Sequence, residues 1–317
     1  MAEAATVEID AQYRQLREEC GLFDRSGRGK LLVTGPDAAE YLQGQLTNDV
    51  DALEPGQGCY AALLDRKGHM QADMRVLRLS PEEVWIDTEP EAIEAARRHL
   101  AMYKIGREVE VDDVGAERAI LSLAGPRSAE IAGSPPLDTY SCAPISHSGV
   151  ECTAVGTRDG IDLIAAQGDA EQLRESLAAA GAPEVGAEAA EILRIEAGTP
   201  RFGSEMGPQT MPAEAGIVEA AVSFTKGCYI GQEPVARLHY KGRPNRHLRG
   251  LRLSAPATPG ASLRLGEKEV GEIGSYCLSP ALGPLGLAIV RREAEPGAEL
   301  AVGEDGVTAR VVDLPFG

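Results

Sequence analysis

Hydrophobic and polar positions along this chain switch repeatedly between a period of two and a period near 3.6, and the switches mark out its elements. A strand is expected over 30–34, a turn at Gly35-Pro36 and a helix over 37–46, with Asp37 suited to the helix's positive N-terminal end. Residues 60–64 and 70–79 flank Asp65-Arg66-Lys67-Gly68 in the manner of a β-hairpin, and a strand over 84–88 follows Ser80-Pro81. A helix over 91–103 carries Ile93, Ala96 and Leu100 on one face, and a strand over 109–111 closes the set. The order then starts again. Leu121, Leu123, Gly125-Pro126 and Ala129-Glu130 repeat Leu31, Val33, Gly35-Pro36 and Ala39-Glu40 at one constant offset, which points to duplicated units.

The second copy continues with strands over 150–157 and 161–166 around Arg158-Asp159-Gly160, then helices over 170–180 and 187–197. Ahead of the first copy, 11–20 reads as a helix stopped at Gly21. After Tyr240 the pattern changes to short alternating runs between Gly and Pro: 248–253, 261–265, 270–276, 287–291, 299–302 and 308–312. Strands this short and this regularly spaced predict a small β-barrel. The whole is α+β, two sheets each with helices on one face, plus the barrel.

A length of 317 residues accommodates two or three domains. With aromatics at only 4%, the cores must be built from Ala, Leu, Val and Ile. The formal charge of −18 argues against broad nucleic-acid binding. Cysteines at 20, 59, 142, 152, 228 and 277 form no CxxC pair or zinc spacing, and the five histidines form no metal motif; no metal is expected. Such scattered cysteines read as reduced thiols. With no membrane-length apolar run and an acidic start unlike a signal peptide, a cytoplasmic protein is expected.

The densest chemistry lies in Phe224 to Arg237, FTKGCYIGQEPVAR. Gly227 and Gly231 suit a tight loop presenting Cys228, and a cation such as Lys226 beside a thiol favours the reactive thiolate. The alternative is a small buried cysteine. Further on, Arg237, Lys241, Arg243, Arg246, Arg249 and Arg252 gather with no acidic residue among them. That run suits the carboxylate-rich tail of a ligand, a protein partner or an RNA phosphate, or it is a linker neutralising acidic surfaces.

The run K-G-C-Y-I-G-Q-E resembles the signature of the YgfZ-like folate-binding proteins, relatives of the glycine-cleavage T-protein. Leu46-Thr47-Asn48-Asp49-Val50, Leu193-Arg194-Ile195-Glu196-Ala197-Gly198 and Pro200-Arg201-Phe202-Gly203 resemble family runs in the same order, while Pro234 departs from the usual Val or Thr. The resemblance implies two ferredoxin-like units and a C-terminal barrel arranged as a three-domain ring: a folate-binding region over 1–240, divided near 115, and a barrel over 241–317. It implies tetrahydrofolate, or a one-carbon-substituted folate, as cofactor. It places Asp73 near the folate amine nitrogens and Glu196 on the pterin edge, with Tyr229, Gln232, Glu233 and Arg237 as further binding residues. Cys228, Lys226 and Asp73 are then the catalytic candidates. A carboxylate accepting two hydrogen bonds from adjacent N–H groups suits a pterin edge, and an aspartate beside an amine suits proton movement. The implied function is support of iron–sulfur enzymes, some of them tRNA-modifying, in contact with those proteins or their assembly factors. The alternative is an aminomethyltransferase that passes a one-carbon unit to tetrahydrofolate.

Overall fold

The computed structural model describes residues 2–316. The chain begins with α1 (Ala2–Glu18) and β1 (Gly21–Asp24). It continues through β2 (Gly29–Thr34), α2 (Ala38–Gln45), β3 (Gly58–Leu64), β4 (Met70–Ser80), β5 (Glu83–Thr88), α3 (Pro90–Tyr103) and β6 (Glu110–Asp113). Next come β7 (Arg118–Ala124), α4 (Ser128–Ala132), β8 (Cys142–His147), β9 (Val150–Gly156), β10 (Gly160–Ala166), α5 (Ala170–Ala179) and α6 (Ala187–Glu196). Two helices, α7 (Val218–Ala221) and α8 (Gln232–Lys241), precede seven strands. These are β11 (Arg246–Leu253), β12 (Ser262–Leu265), β13 (Lys268–Glu272), β14 (Ser275–Ser279), β15 (Gly283–Arg291), β16 (Glu299–Val302) and β17 (Val307–Val312). No helix among the described residues is long and apolar enough to cross a membrane.

Two compact units result. The first gathers the described chain up to Leu63 with Gln71–Ala190 and Ala221–Ile230; the second gathers Leu64–Met70, Glu191–Ala220 and the chain from Gly231 onward.

The first unit holds two five-stranded sheets, ordered β3-β4-β5-β2-β6 and β8-β9-β10-β7-β1. They are copies of one plan. Gly35 after β2 and Gly125 after β7 have φ of 122° and 124°. An added Cβ would meet the Glu108 carbonyl at 2.2 Å in one and the Glu19 carbonyl at 2.4 Å in the other. Glycine is required at both, because only it takes this backbone and this approach. Each close approach leads into an edge strand, and here the copies differ. In the first sheet that strand is β6, late in its own copy and paired with β2. In the second it is β1, which precedes both copies and pairs with β7. The N-terminal segment thus completes the second sheet.

This arrangement explains Gly21, which opens β1 instead of capping α1. It is packed so closely that a Cβ would lie 2.7 Å from Leu16 and 2.9 Å from Val185. Facing residues of the two sheets share a core of Leu77, Trp85, Val114, Ile120, Cys142, Val155 and Ile164. Leu22, Leu121, Leu123, Leu163, Leu173 and Leu177 fill the outer core beneath α4 and α5.

In the second unit the seven strands run β13-β12-β16-β17-β11-β15-β14 around a single cluster that includes Leu251, Leu263, Val290, Leu300 and Val311. The single strand expected over 270–276 is two, β13 and β14, broken at Gly274. There a Cβ would stand 2.9 Å from Glu205 Cγ. Since β11 begins at Arg246, we propose that the barrel domain starts just before it, at 241.

Candidate functional site

Asp73 sits on β4, an inner strand between β3 and β5, and is 9% exposed. The Tyr60 hydroxyl on β3 donates to its Oδ2 at 2.7 Å. Its Oδ1 is buried and has no hydrogen-bond partner among the described residues. Burial pushes the Asp73 carboxyl up, against the Tyr60 hydrogen bond and the Arg28 charge, while Glu89 adds to the rise. Burial and the adjacent carboxylate also hold Tyr60 well above the ordinary phenol range, so its hydroxyl stays a donor. The Tyr60 ring lies nearly parallel to Tyr140, with centroids 6.4 Å apart and planes inclined by 12°.

Behind this carboxylate runs a buried chain of charges. Arg28 reaches Asp87 at 2.7 Å and also Glu89. Arg75 bridges Asp87 at 2.8 Å and Asp162 at 2.6 Å, and Arg25 lies 3.7 Å from Asp162. Trp85 Nε1 donates to Asp87 and Ser122 Oγ to Asp162. Because Asp87 lies on β5 and Asp162 on β10, the chain ties the two copies together. Sequence reasoning missed these residues. Their signal was an acid inside an otherwise apolar strand, as in Val-Trp-Ile-Asp and Gly-Ile-Asp-Leu-Ile.

The motif region divides at Gly231. In the first unit, Lys226 is buried and donates from Nζ to the carbonyls of Gln43 (2.5 Å), Leu46 (2.7 Å) and Asn48 (3.0 Å). Its ammonium is thereby committed to the end of α2, and it lies 5.1 Å over the Tyr229 ring. Cys228 is exposed and Tyr229 is buried. The Tyr229 hydroxyl has no hydrogen-bond partner among the described residues. Thr47 joins the same assembly, donating to the Ala221 carbonyl at 2.5 Å and accepting from the Ala62 amide at 2.8 Å. Leu46–Val50 and the thiol loop, far apart in sequence, are thus one local structure.

In the second unit, Glu196 ends α6 and is 7% exposed, with Oε1 accepting from Ser279 Oγ at 2.5 Å. Arg194, two residues earlier, binds Glu191 at 2.7 Å, Glu205 at 3.1 Å and Ser275 at 2.5 Å. Arg201 adds two bonds to Glu191. The Arg-Ile-Glu-Ala-Gly and Pro-Arg-Phe-Gly runs therefore build a polar frame around the helix end. Gln232 and Glu233 open α8, where Glu233 and Arg237 are exposed. The basic run is not uniform. Arg246 pairs with Glu214 at 2.8 Å and Arg249 lies 3.7 Å from Asp313, whereas Arg237, Lys241 and Arg243 are exposed. No group of three or more His, Cys, Asp or Glu side chains among the described residues could hold a metal ion.

Comparison with known proteins agrees with this architecture. Residues 2–226 match the family model of the GCVT N-terminal domain, and residues 246–316 match the glycine cleavage T-protein C-terminal barrel domain. An aminomethyltransferase of Rubrobacter xylanophilus is 32% identical, the match covering 97% of this chain and 86% of that protein. One from Listeria welshimeri is 31% identical over 97% and 89%. A putative chloroplastic transferase of Arabidopsis thaliana is 29% identical over 93% and 71%. Among solved structures, the glycine cleavage system aminomethyltransferase T of Bartonella henselae superposes with a TM-score of 0.88 at 26% identity, covering 98% of this chain and 89% of that one. With family models matching both its α+β region and its barrel, the chain belongs to the glycine cleavage T-protein family.

Proposed function

We propose that this protein transfers a one-carbon unit to tetrahydrofolate, with Asp73 as the group that manages the proton at the accepting amine. The observation that carries this reading is the state of Asp73: one oxygen fixed by Tyr60, the other buried and without a donor among the described residues. A buried acceptor lacking its donor fits a ligand that presents N–H groups, as a reduced pterin does. Tetrahydrofolate, when bound, supplies the amine nitrogens that receive the carbon. Asp73 then holds the amine in place and takes or returns its proton. Burial has moved its titration toward the range where acid–base work is effective. The names of the relatives, aminomethyltransferases in two bacteria, support the same chemistry.

Glu196 is assigned to the pterin edge, and its burial at a helix end suits an acceptor held still. Arg237, with Lys241 and Arg243, stands exposed and suits a polyglutamate tail.

A second reading is favoured by one specific observation, the exposure of Cys228 at the front of Lys226–Glu233. There the protein is a folate-dependent accessory factor of the YgfZ type for iron–sulfur enzymes, and Cys228 is its working thiol. One assay separates the two: aminomethyl transfer from a lipoyl carrier to tetrahydrofolate, run on the wild type, Asp73→Asn and Cys228→Ser. Turnover lost in Asp73→Asn and kept in Cys228→Ser supports the transferase. Absence of turnover in the wild type overturns it and leaves the accessory role.

A further inference from the structure

We propose that Tyr140, which belongs to the second copy of the duplication, is a positioning residue for Asp73 in the first copy, acting through the hydroxyl of Tyr60. Its catalytic consequence rests on the one-carbon reading; its geometric part does not.

The first ground is backbone strain. Tyr140 has a φ of 69°, a left-handed conformation uncommon for a bulky aromatic residue. Such a residue persists only where its surroundings over-determine it. They do so here from both copies. The Tyr140 amide donates to the Gly156 carbonyl at 2.8 Å and the Ser141 amide to the Asp138 carbonyl at 2.9 Å, both within the second copy. The Cys142 amide donates to the Gly56 carbonyl at 2.7 Å, which ties the segment to the first copy.

Glycines open the space for this clamp. A Cβ on Gly58 would lie 2.6 Å from the Tyr140 carbonyl oxygen, and one on Gly156 would lie 2.2 Å from that of Asp138. A chain arranged only to connect α4 to β8 has no need of a tyrosine forced into this shape between such contacts.

The second ground is where the ring goes. It lies nearly parallel to the Tyr60 ring and offset from it, with centroids 6.4 Å apart, and the Tyr60 hydroxyl is the donor on Asp73 Oδ2. A tyrosine ring turns about two side-chain bonds, and an offset parallel neighbour held in place narrows that freedom. The position of the Tyr60 hydroxyl, and so the direction in which Asp73 presents Oδ1, is then set by a loop of the other copy. The charges of Arg28 and Glu89 also act on Asp73, both carried by the first copy, and the Tyr140 phenol itself feels the Asp73 charge.

The test is carboxyl carbon NMR of Asp73 across pH, on the full chain without folate, in Tyr140→Asn, Tyr60→Phe, the double variant and Tyr140→Phe. Asparagine accepts the left-handed conformation and removes the ring. The Tyr60 hydrogen bond favours the carboxylate, so loosening it moves the Asp73 midpoint upward, whereas water admitted in place of the ring relieves burial and moves it downward; only an upward shift reports a loosened hydrogen bond. The expected pattern is an upward shift in Tyr140→Asn, a shift at least as large in Tyr60→Phe, no further shift in the double variant, and none in Tyr140→Phe, which keeps the ring. In the transfer assay, Tyr140→Asn should lose about tenfold in kcat with KM unchanged.

An Asp73 midpoint that stays put or falls in Tyr140→Asn, or additive shifts in the double variant, overturns the proposal. Should Tyr140→Asn not fold, Tyr140→Gly removes the ring and the strain together and is read in the same way. Failure of the one-carbon reading is a different result, turnover retained in Asp73→Asn, and it leaves the titration outcome standing.

Discussion

The ammonium of Lys226 lies 2.7 Å from the carbonyl oxygen of Leu46, the residue that caps the C-terminus of α2. With the Gln43 and Asn48 carbonyls it meets three acceptors at a helix C-terminus, where carbonyls otherwise go unpaired and the dipole favours a cation. Lys226→Met should therefore cost about 1–3 kcal/mol, because buried carbonyls lose their donor. The pH dependence adds a sharper check. Burial holds the Lys226 ammonium down to about 8, whereas an unfolded lysine titrates at about 10.4. Between those values the unfolded chain binds more protons, so stability from this residue rises with pH. Urea denaturation at pH 7 and 9.5 should show the wild type gaining on Lys226→Met at the higher pH. A gap that shrinks would refute this account.

Asp87 and Asp162 are held below the usual carboxylate range by Arg75, and Asp87 by Arg28 as well, although burial alone would raise both. Their contribution to stability is present above the unfolded value of about 4 and is lost only as pH falls through the lower folded values. Asp87→Asn leaves Arg28 and Arg75 short of a buried partner and should cost about 3–5 kcal/mol at pH 7. The difference from wild type should narrow on acidification. Equal losses at pH 7 and pH 3 would show that the residue acts by shape and not by charge.

The duplication makes a paired prediction. Gly35→Ala and Gly125→Ala each force a side chain against a carbonyl at a positive φ, so each should destabilise by more than about 1 kcal/mol, and by similar amounts. Gly44, inside α2 with nothing within 4 Å of an added Cβ, is the contrast: Gly44→Ala should stabilise by about 0.5–1 kcal/mol. Thermal melts of the three variants decide this. A tolerated Gly125→Ala beside a damaging Gly35→Ala would mean that the two copies are not equivalent.

Much of this was legible from the sequence, for definable reasons. Both hairpins, both glycine turns and four of the barrel strands lie close to where periodicity placed them, since each buries one face locally. Three features were not legible. β1 reads as the end of a helix because its partner β7 is distant in sequence, and no local pattern encodes that pairing. α8 was read as part of a polar motif, because its buried face is little more than Val235. The inward turn of Lys226 was hidden for a similar reason: its partners are backbone carbonyls, and backbone leaves no residue-type signal.

Cys228 carries the last prediction. It is exposed, whereas Cys20, Cys142, Cys152 and Cys277 are buried and Cys59 is half-buried. Burial pushes Cys59 and Cys277 up to about 12 and Cys152 up to about 11, and raises Cys20 and Cys142, so thiolate is scarce at all five near neutral pH. Iodoacetamide at pH 7.5 should modify one site quickly, and peptide mapping should identify it as Cys228. Cys228→Ser should leave the remaining thiols slow and the melting temperature within about 2 °C of wild type, because an exposed side chain contributes little to the core. In cells lacking the native protein the same variant separates the two functional readings. Full rescue by Cys228→Ser with loss in Asp73→Asn places the work on the carboxylate. Loss in Cys228→Ser from a protein that still folds and still binds tetrahydrofolate places it on the thiol. Should a buried cysteine be labelled first, Cys228 is not the accessible thiol that its exposure indicates, and the thiol reading falls with it.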